Sequence, residues 1–339
     1  MMFNNKSIFI SGGTGSFGKN FCKYLLKTSK PKKIIVFSRD ELKQKEISDE
    51  LSDKERHILR FFIGDVRDKE RLIMAMQDVD FVIHAAALKQ VDTAEYNPFE
   101  FIKTNINGGN NIIEAALINN VKKVIALSTD KAAKSTNLYG ATKLVSDKLF
   151  ISANNFKGKK STKFSVVRYG NVADSRGSVL PLFRKLFSEK KKLTLTDPRM
   201  TRFWITLDES VRFVVECLKV MEGGEIFIPK LKSFKVTDLI KAIDSKAKIK
   251  LIGIRPGEKL HEVMCPNEEV QNTLEFKKNY IIYPSINKYA GRNLYNLNLR
   301  KRKGTNVNKN FEYNSKDNKE FLSISELKKE LKRLKFKIS

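Results

Sequence analysis

The sequence predicts an α/β chain: a doubly wound parallel sheet with a smaller C-terminal lobe entwined with it. Three observations predict this. Short β-branched runs alternate with longer helical patterns through the first half of the chain. Most of the runs are nearly continuous in apolar residues, as strands covered on both faces are. The first run passes directly into a glycine-rich turn, SGGTGSFG at 11–18, and then into a helical pattern. Such a βαβα rhythm places helices on both sides of one sheet.

In order, the expected strands are 7–11, 33–37, 60–63, 80–84, 122–128 and 164–168, and the expected helices 18–26, 69–76, 108–119 and 139–154. After about Asn171 the rhythm breaks into shorter, more basic segments punctuated by Pro181, Pro198, Pro229, Pro256 and Pro266. The chain finishes with SISELKKELKRLKF. Ser323 and Glu326 form a capping-box pattern, and Leu327, Leu331 and Leu334 make a narrow apolar stripe, expected to dock on the protein itself rather than on a membrane.

At 339 residues the chain is long enough for two domains of ordinary size, and 41% hydrophobic with 30% charged residues describes a soluble globular protein. No apolar run approaches the roughly 18 residues of a membrane span. The N-terminus has no signal-peptide pattern, so a cytoplasmic location is expected. Cys22, Cys217 and Cys265 are far apart, as are His57, His84 and His261, which argues against a disulfide framework or a metal site. The net charge of +27 is spread along the chain, with one dense run, RKRK at 300–303. No basic–aromatic recognition motif accompanies it, so neither nucleic acid nor a membrane is an expected partner.

Gly12, Gly15 and Gly18 stand on the first strand-to-helix turn, with Thr14, Ser16 and Phe17 between them. Glycines there allow a tight turn and let backbone amides approach a pyrophosphate, while the helix N-terminus contributes partial positive charge. At the end of the second strand, where an acid would hold the ribose 2′-hydroxyl of NAD, the chain reads Ser38-Arg39-Asp40, followed by Lys43. A serine there removes a repulsive charge, and Arg39 and Lys43 suit a 2′-phosphate, so NADP is expected over NAD. Asp65 and Val66, after the third strand, are placed to meet the adenine. Residues 1–170 are therefore read as an NADP-binding, Rossmann-type domain and 171–339 as mainly a substrate-binding lobe, some of whose segments return to the sheet.

Tyr139 and Lys143 are spaced i, i+4 and share one helical face. A nearby ammonium and an oxidised nicotinamide favour phenolate, which equips Tyr139 to deprotonate a substrate hydroxyl while hydride leaves the same carbon. Thr129 offers a supporting hydroxyl. Oxidation alone has no use for Asp130 and Lys131, which read as a second acid–base couple. Lys131, with a pKa expected to be lowered by burial and by positive neighbours, would take the proton beside the new ketone, and Asp130 would protonate a departing hydroxyl.

The motifs SGGTGSFG, SRDELKQ (38–44), FFIGDVRD (61–68), HAAALK (84–89), STDKAA (128–133), NLYGATK (137–143), RYGNV (168–172), MTRFWIT (200–206) and RPGEKLHE (255–262) together resemble the extended short-chain dehydrogenase/reductase superfamily. More narrowly they resemble its inverting UDP-N-acetylglucosamine 4,6-dehydratases, which open pseudaminic acid biosynthesis; the likeness runs from about residue 5 to 285. The resemblance implies NADP, a UDP-sugar substrate and a homo-oligomer, with C4 oxidation, loss of the C6 hydroxyl and inversion at C5. It also implies that Ala85 and Lys89 border the cofactor, that Lys89 reaches the sugar too, and that Asn171, Val172, Arg202, Arg255 and Glu258 hold the nucleotide sugar. Retaining relatives carry glutamate where Lys131 stands, and membrane-embedded relatives carry methionine in place of Tyr139. The chain departs from the pattern at Lys134-Ser135-Thr136 and at Ala173-Asp174. Two other readings use fewer of these residues: a sugar-nucleotide 4-epimerase, and a catalytically silent NADP-binding regulator.

Overall fold

The computed structural model describes residues 2–285 and 304–336; the RKRK run at 300–303 lies outside the described residues. The first half lays down β1 (Ser7–Ser11), β2 (Lys33–Ser38), β3 (Leu59–Ile63), β4 (Phe81–His84), β5 (Lys123–Thr129) and β6 (Lys163–Tyr169). The second half adds β7 (Leu193–Leu195), β8 (Thr201–Phe203), β9 (Ile226–Pro229), β10 (Ser233–Lys235), β11 (Ile249–Leu251), β12 (Val263–Cys265), β13 (Thr273–Glu275), β14 (Asn279–Ile282), β15 (Thr305–Asn306) and β16 (Tyr313–Asn314).

Ten of these form one sheet in the order β15-β13-β14-β9-β6-β5-β4-β1-β2-β3. From β3 to β9 every pairing is parallel, while β14, β13 and β15 extend the β9 edge antiparallel. The doubly wound parallel sheet is thus present, and the expected strands agree with it to within a residue or so at each end.

Alternation along the strands explains why the sheet is covered twice. Ile8, Ile10, Ile34 and Val36 face a core shared with Phe21, Val214 and Phe227. Their neighbours Phe9, Ile35 and Phe37 face the opposite core with Ile112, Phe150 and Phe164. The chain runs outward from β1 to β3, then returns to β4 on the other side of β1. Beyond the carboxyl ends of β1 and β4 the connections diverge, opening a crevice at the position where open α/β sheets bind ligands.

A third core joins Leu180, Phe183, Trp204, Phe234 and Leu239 to Leu327 and Leu331 of the helix Ile324–Arg333. Both leucines are fully buried, each contributing roughly 1.5–3 kcal/mol, and the Ser323–Glu326 capping box is formed. That helix therefore packs its stripe against the protein. Among the described residues no helix is long and apolar enough to cross a membrane.

Candidate active site

β1 ends at Ser11, and the turn that follows begins with Gly12 at φ +66°. A Cβ there would sit 2.9 Å from the backbone of Ala86, so the residue must be glycine both for its torsion and for its neighbour. The helix Ser16–Thr28 then starts with no acidic residue in its first turn to offset its positive end. Backbone amides and a helix N-terminus facing a crevice fit a dinucleotide pyrophosphate.

The residues at the far end of the cradle are hydrogen-bonded among themselves. Thr14 Oγ1 donates to Ser38 Oγ at 2.9 Å, and the Asp40 amide donates to the same Ser38 oxygen at 3.2 Å. Asp40 caps the helix Glu41–Asp49, accepting from the Lys43 amide at 3.0 Å, and its carboxylate also pairs with the Lys43 ammonium. Arg39 lies 3.5 Å from Asp65, and Val66 is buried beside Gly108. Both cations assigned to a 2′-phosphate thus already face an acid.

A cleft of about 400 Å³ opens from the cradle. Gly12, Gly15, Ser16, Phe17, Gly18, Ala85, Lys89, Thr129, Lys131, Tyr139, Lys143, Asn171 and Val172 line it. Thr14, Ser38, Arg39, Asp40, Lys43, Asp65, Val66, Asp130, Arg202, Arg255 and Glu258 are not among its lining residues. Arg255 pairs instead with Glu258 and lies 3.7 Å from Asp92.

Asn137 caps the helix Leu138–Phe156, accepting from the Gly140 amide, and that helix carries Tyr139 and Lys143. A Cβ on Gly140 would come within 2.2 Å of the Lys131 carbonyl. The glycine after the tyrosine therefore lets the two functional segments touch. Lys143 is buried and donates to the Leu127 carbonyl at 2.8 Å. Burial lowers its pKa, partly opposed by Asp147. Behind it, the buried Asp147 accepts from Ser128 at 2.7 Å and lies 3.3 Å from the equally buried Arg168. The Tyr139 phenol is pushed up to about 12 by burial, against the pull of Lys131 and a Thr129 hydrogen bond. Protein surroundings alone therefore favour the neutral phenol, although Lys131 pulls in the expected direction; the lowering expected from sequence counts on the nicotinamide as well.

β5 delivers the second couple. Thr129 ends the strand, and Asp130 begins a single 3₁₀ turn. Asp130 is fully buried; its Oδ1 accepts from Thr129 at 3.0 Å and from Lys131 Nζ at 3.1 Å, while Oδ2 has no hydrogen-bond partner in the described structure. Lys131 Nζ also donates to Glu262 Oε1 at 3.1 Å and approaches Asn171 Oδ1 at 3.5 Å. Arg202 Nε stands 3.6 Å from the same Glu262 oxygen.

The expectation of a lowered Lys131 pKa is corrected here. Burial does oppose the charged amine, but the carboxylates of Asp130 and Glu262 outweigh it, and the group is held well above its ordinary value. Burial and Glu262 raise the Asp130 carboxyl in turn.

Three residues outside the sequence assignments shape this site. Glu262 is one. Asn105, in the π-helical turn Ile102–Asn107, ties the loop carrying Ala85 and Lys89 to the tyrosine helix: it accepts from the Leu88 amide and donates to the Leu88 carbonyl and to Thr142. The third, Arg176, lines the cleft; its amide donates to Ser16 Oγ at 3.2 Å and its carbonyl accepts from Lys89 at 2.7 Å. Only Glu262 had a signal, as the last residue of RPGEKLHE. Asp174, one of the departures, pairs with Arg184 at 3.1 Å, and Lys134, another, with Glu312.

The model of the polysaccharide biosynthesis protein family matches residues 8–284. An inverting UDP-N-acetylglucosamine 4,6-dehydratase of Campylobacter jejuni is 55% identical over 327 residues, covering 96% of this chain and 97% of its own length. A UDP-glucose 4-epimerase of Rickettsia bellii is 43% identical over 288 residues, covering 83% of this chain and 84% of its own. The X-ray structure of Pen from Bacillus thuringiensis superposes with a TM-score of 0.89 at 37% identity, covering 99% of this chain and all of that one.

Proposed function

The chain belongs to the polysaccharide biosynthesis protein family, and from that premise we propose that it is an inverting UDP-N-acetylglucosamine 4,6-dehydratase using NADP. The observation that carries the reading is the arrangement of Lys131 and the buried Asp130 beside the cleft that holds Tyr139 and Lys143. An epimerase needs only the second pair.

When bound in the glycine cradle, the dinucleotide supplies a hydride acceptor and donor. Tyr139 takes the proton of the C4 hydroxyl, aided by the charge of Lys143 one turn along the same helix. The C4 ketone acidifies C5–H, which passes its proton to Lys131 Nζ. The electron pair left on C5 forms the C5–C6 double bond, the C6–O bond breaks, and the leaving oxygen takes a proton from Asp130 to depart as water; C6 would then regain the hydride removed from C4, and C5 a solvent-derived proton on its opposite face, which leaves the dinucleotide oxidised again. Lys131 as ammonium and Asp130 as carboxylate differ from this working form by one proton moved along their 3.1 Å hydrogen bond. Asn171 and Lys89, both facing the cleft, are proposed to hold the sugar diphosphate, with Arg202 set behind Lys131.

The finer points of the proposal are a cytoplasmic homo-oligomer and a place at the opening of pseudaminic acid biosynthesis. The test is incubation with UDP-N-acetylglucosamine and catalytic NADP in deuterated water, read by mass spectrometry and NMR. Loss of one water with deuterium at an inverted C5 is the expected result. A sugar returned only as its C4 epimer would overturn the reading in favour of the epimerase.

A further inference from the structure

We infer that Glu262 is a positioning residue of the elimination step, the second carboxylate on the Lys131 amine that keeps one proton loaded on the Asp130–Lys131 couple. The inference rests on the dehydratase reading and deepens it.

Four charged groups meet at the inner wall of the cleft, the two carboxylates buried and the two cations partly so. Asp130 and Glu262 each lie 3.1 Å from Lys131 Nζ, and Arg202 lies 3.6 Å from Glu262. Asp130 and Glu262 are essentially inaccessible to solvent, at 0% and 2% exposure. Taken as two carboxylates, one ammonium and one guanidinium, the set is neutral. It remains neutral when a proton passes from Lys131 to Asp130, because Arg202 balances Glu262 in both forms. Buried ions without such matching are costly.

The backbone holds Glu262 for this task. Its amide donates to Ser315 Oγ at 2.9 Å, Ser315 in turn contacts Thr201 at 2.7 Å, and the residue leads directly into β12, which pairs with β16. Glu262 Oε2, like Asp130 Oδ2, has no hydrogen-bond partner in the described structure. The other charged and titratable neighbours are Tyr139 from the helix Leu138–Phe156, Lys89 from the loop after β4, which faces Lys131, and His261 and Lys259 on Glu262's own segment, the first facing Arg202 and the second with Glu312 beyond it.

The direction of the effect follows from charge. Glu262 stabilises the Lys131 ammonium and destabilises the Asp130 carboxylate, so both hold a proton to higher pH. Replacing it by glutamine lets the couple lose its proton at lower pH. Lys131 is then still able to take the C5 proton, but Asp130 has none for the departing hydroxyl.

The test is Glu262→Gln on the full chain with UDP-N-acetylglucosamine and NADP. Water loss is expected to fall about 10- to 100-fold, short of the loss of a general acid itself, and the high-pH limb of dehydration to move down by about one unit. In deuterated water, C5 exchange into recovered substrate should persist, so the ratio of exchange to dehydration rises. A merely structural carboxylate would leave that ratio and the pH limb where they are, and this result overturns the inference. If Glu262→Gln does not fold, Glu262→Asp keeps the charge but withdraws it from Lys131, and the same two readouts, shifted in the same direction, decide. Wild-type protein that never releases water from this substrate refutes the dehydratase reading instead.

Discussion

Lys143 and Lys131 stand on the same cleft, one at each acid–base couple, and their charges are tuned in opposite directions. Lys143 donates to a backbone carbonyl and has its carboxylate, Asp147, already shared with Ser128 and Arg168; burial dominates and its pKa falls. Lys131 touches two carboxylates directly, and these dominate burial. Burial alone thus says nothing about the charge of a lysine; the groups within hydrogen-bond reach decide it. A third lysine, Lys43, is partly exposed and paired with Asp40, where solvent screens the interaction.

The largest way to break this comparison is to remove one lysine at a time. Lys131→Ala should cut dehydration by about 10²–10⁴-fold while C4 oxidation, followed as NADPH absorbance in a single turnover, continues. Lys143→Met should instead suppress oxidation itself by a similar factor, so that neither NADPH nor product forms. If both variants stall at the same step, the division of labour between the two lysines is wrong.

Asp147→Asn sharpens the Lys143 side. It leaves Arg168 buried with only Glu269 as an acidic partner, and loss of a buried pair costs about 3–5 kcal/mol. Denaturant unfolding should show that loss; an unchanged midpoint would mean that Glu269 suffices. The smallest effect is at Lys43. Lys43→Ala should weaken NADP binding by no more than about fivefold and leave NAD unchanged in fluorescence titration, since an exposed pair contributes about 1 kcal/mol or less. Equal weakening of both would remove Lys43 from 2′-phosphate recognition.

Much of the sheet was legible because parallel strands buried on both faces leave continuous apolar runs, as in KIIVFS at Lys33–Ser38. The cradle and the Tyr139–Lys143 face were legible for a related reason: each is a short local spacing tied to one turn or helix. Arg176 and Asn105 were not, since each is a single residue whose partners lie far along the chain. Glu262 ends the RPGEKLHE motif, in which the resemblance points to Glu258 instead. In the fold Glu258 pairs with its near neighbour Arg255, while Glu262 turns inward to Lys131. Spacing alone does not distinguish an outward acid from an inward one when the backbone between them is irregular.

The Lys131–Glu262 contact joins residues 131 positions apart. At synthesis rates of roughly 5–20 residues per second, Glu262 leaves the ribosome about 7–26 s after Lys131. Throughout that interval the nascent chain carries Asp130 and Lys131 without the carboxylate that completes their set. The elimination site is therefore completed only well after the strand that leads to its acid and base has been made.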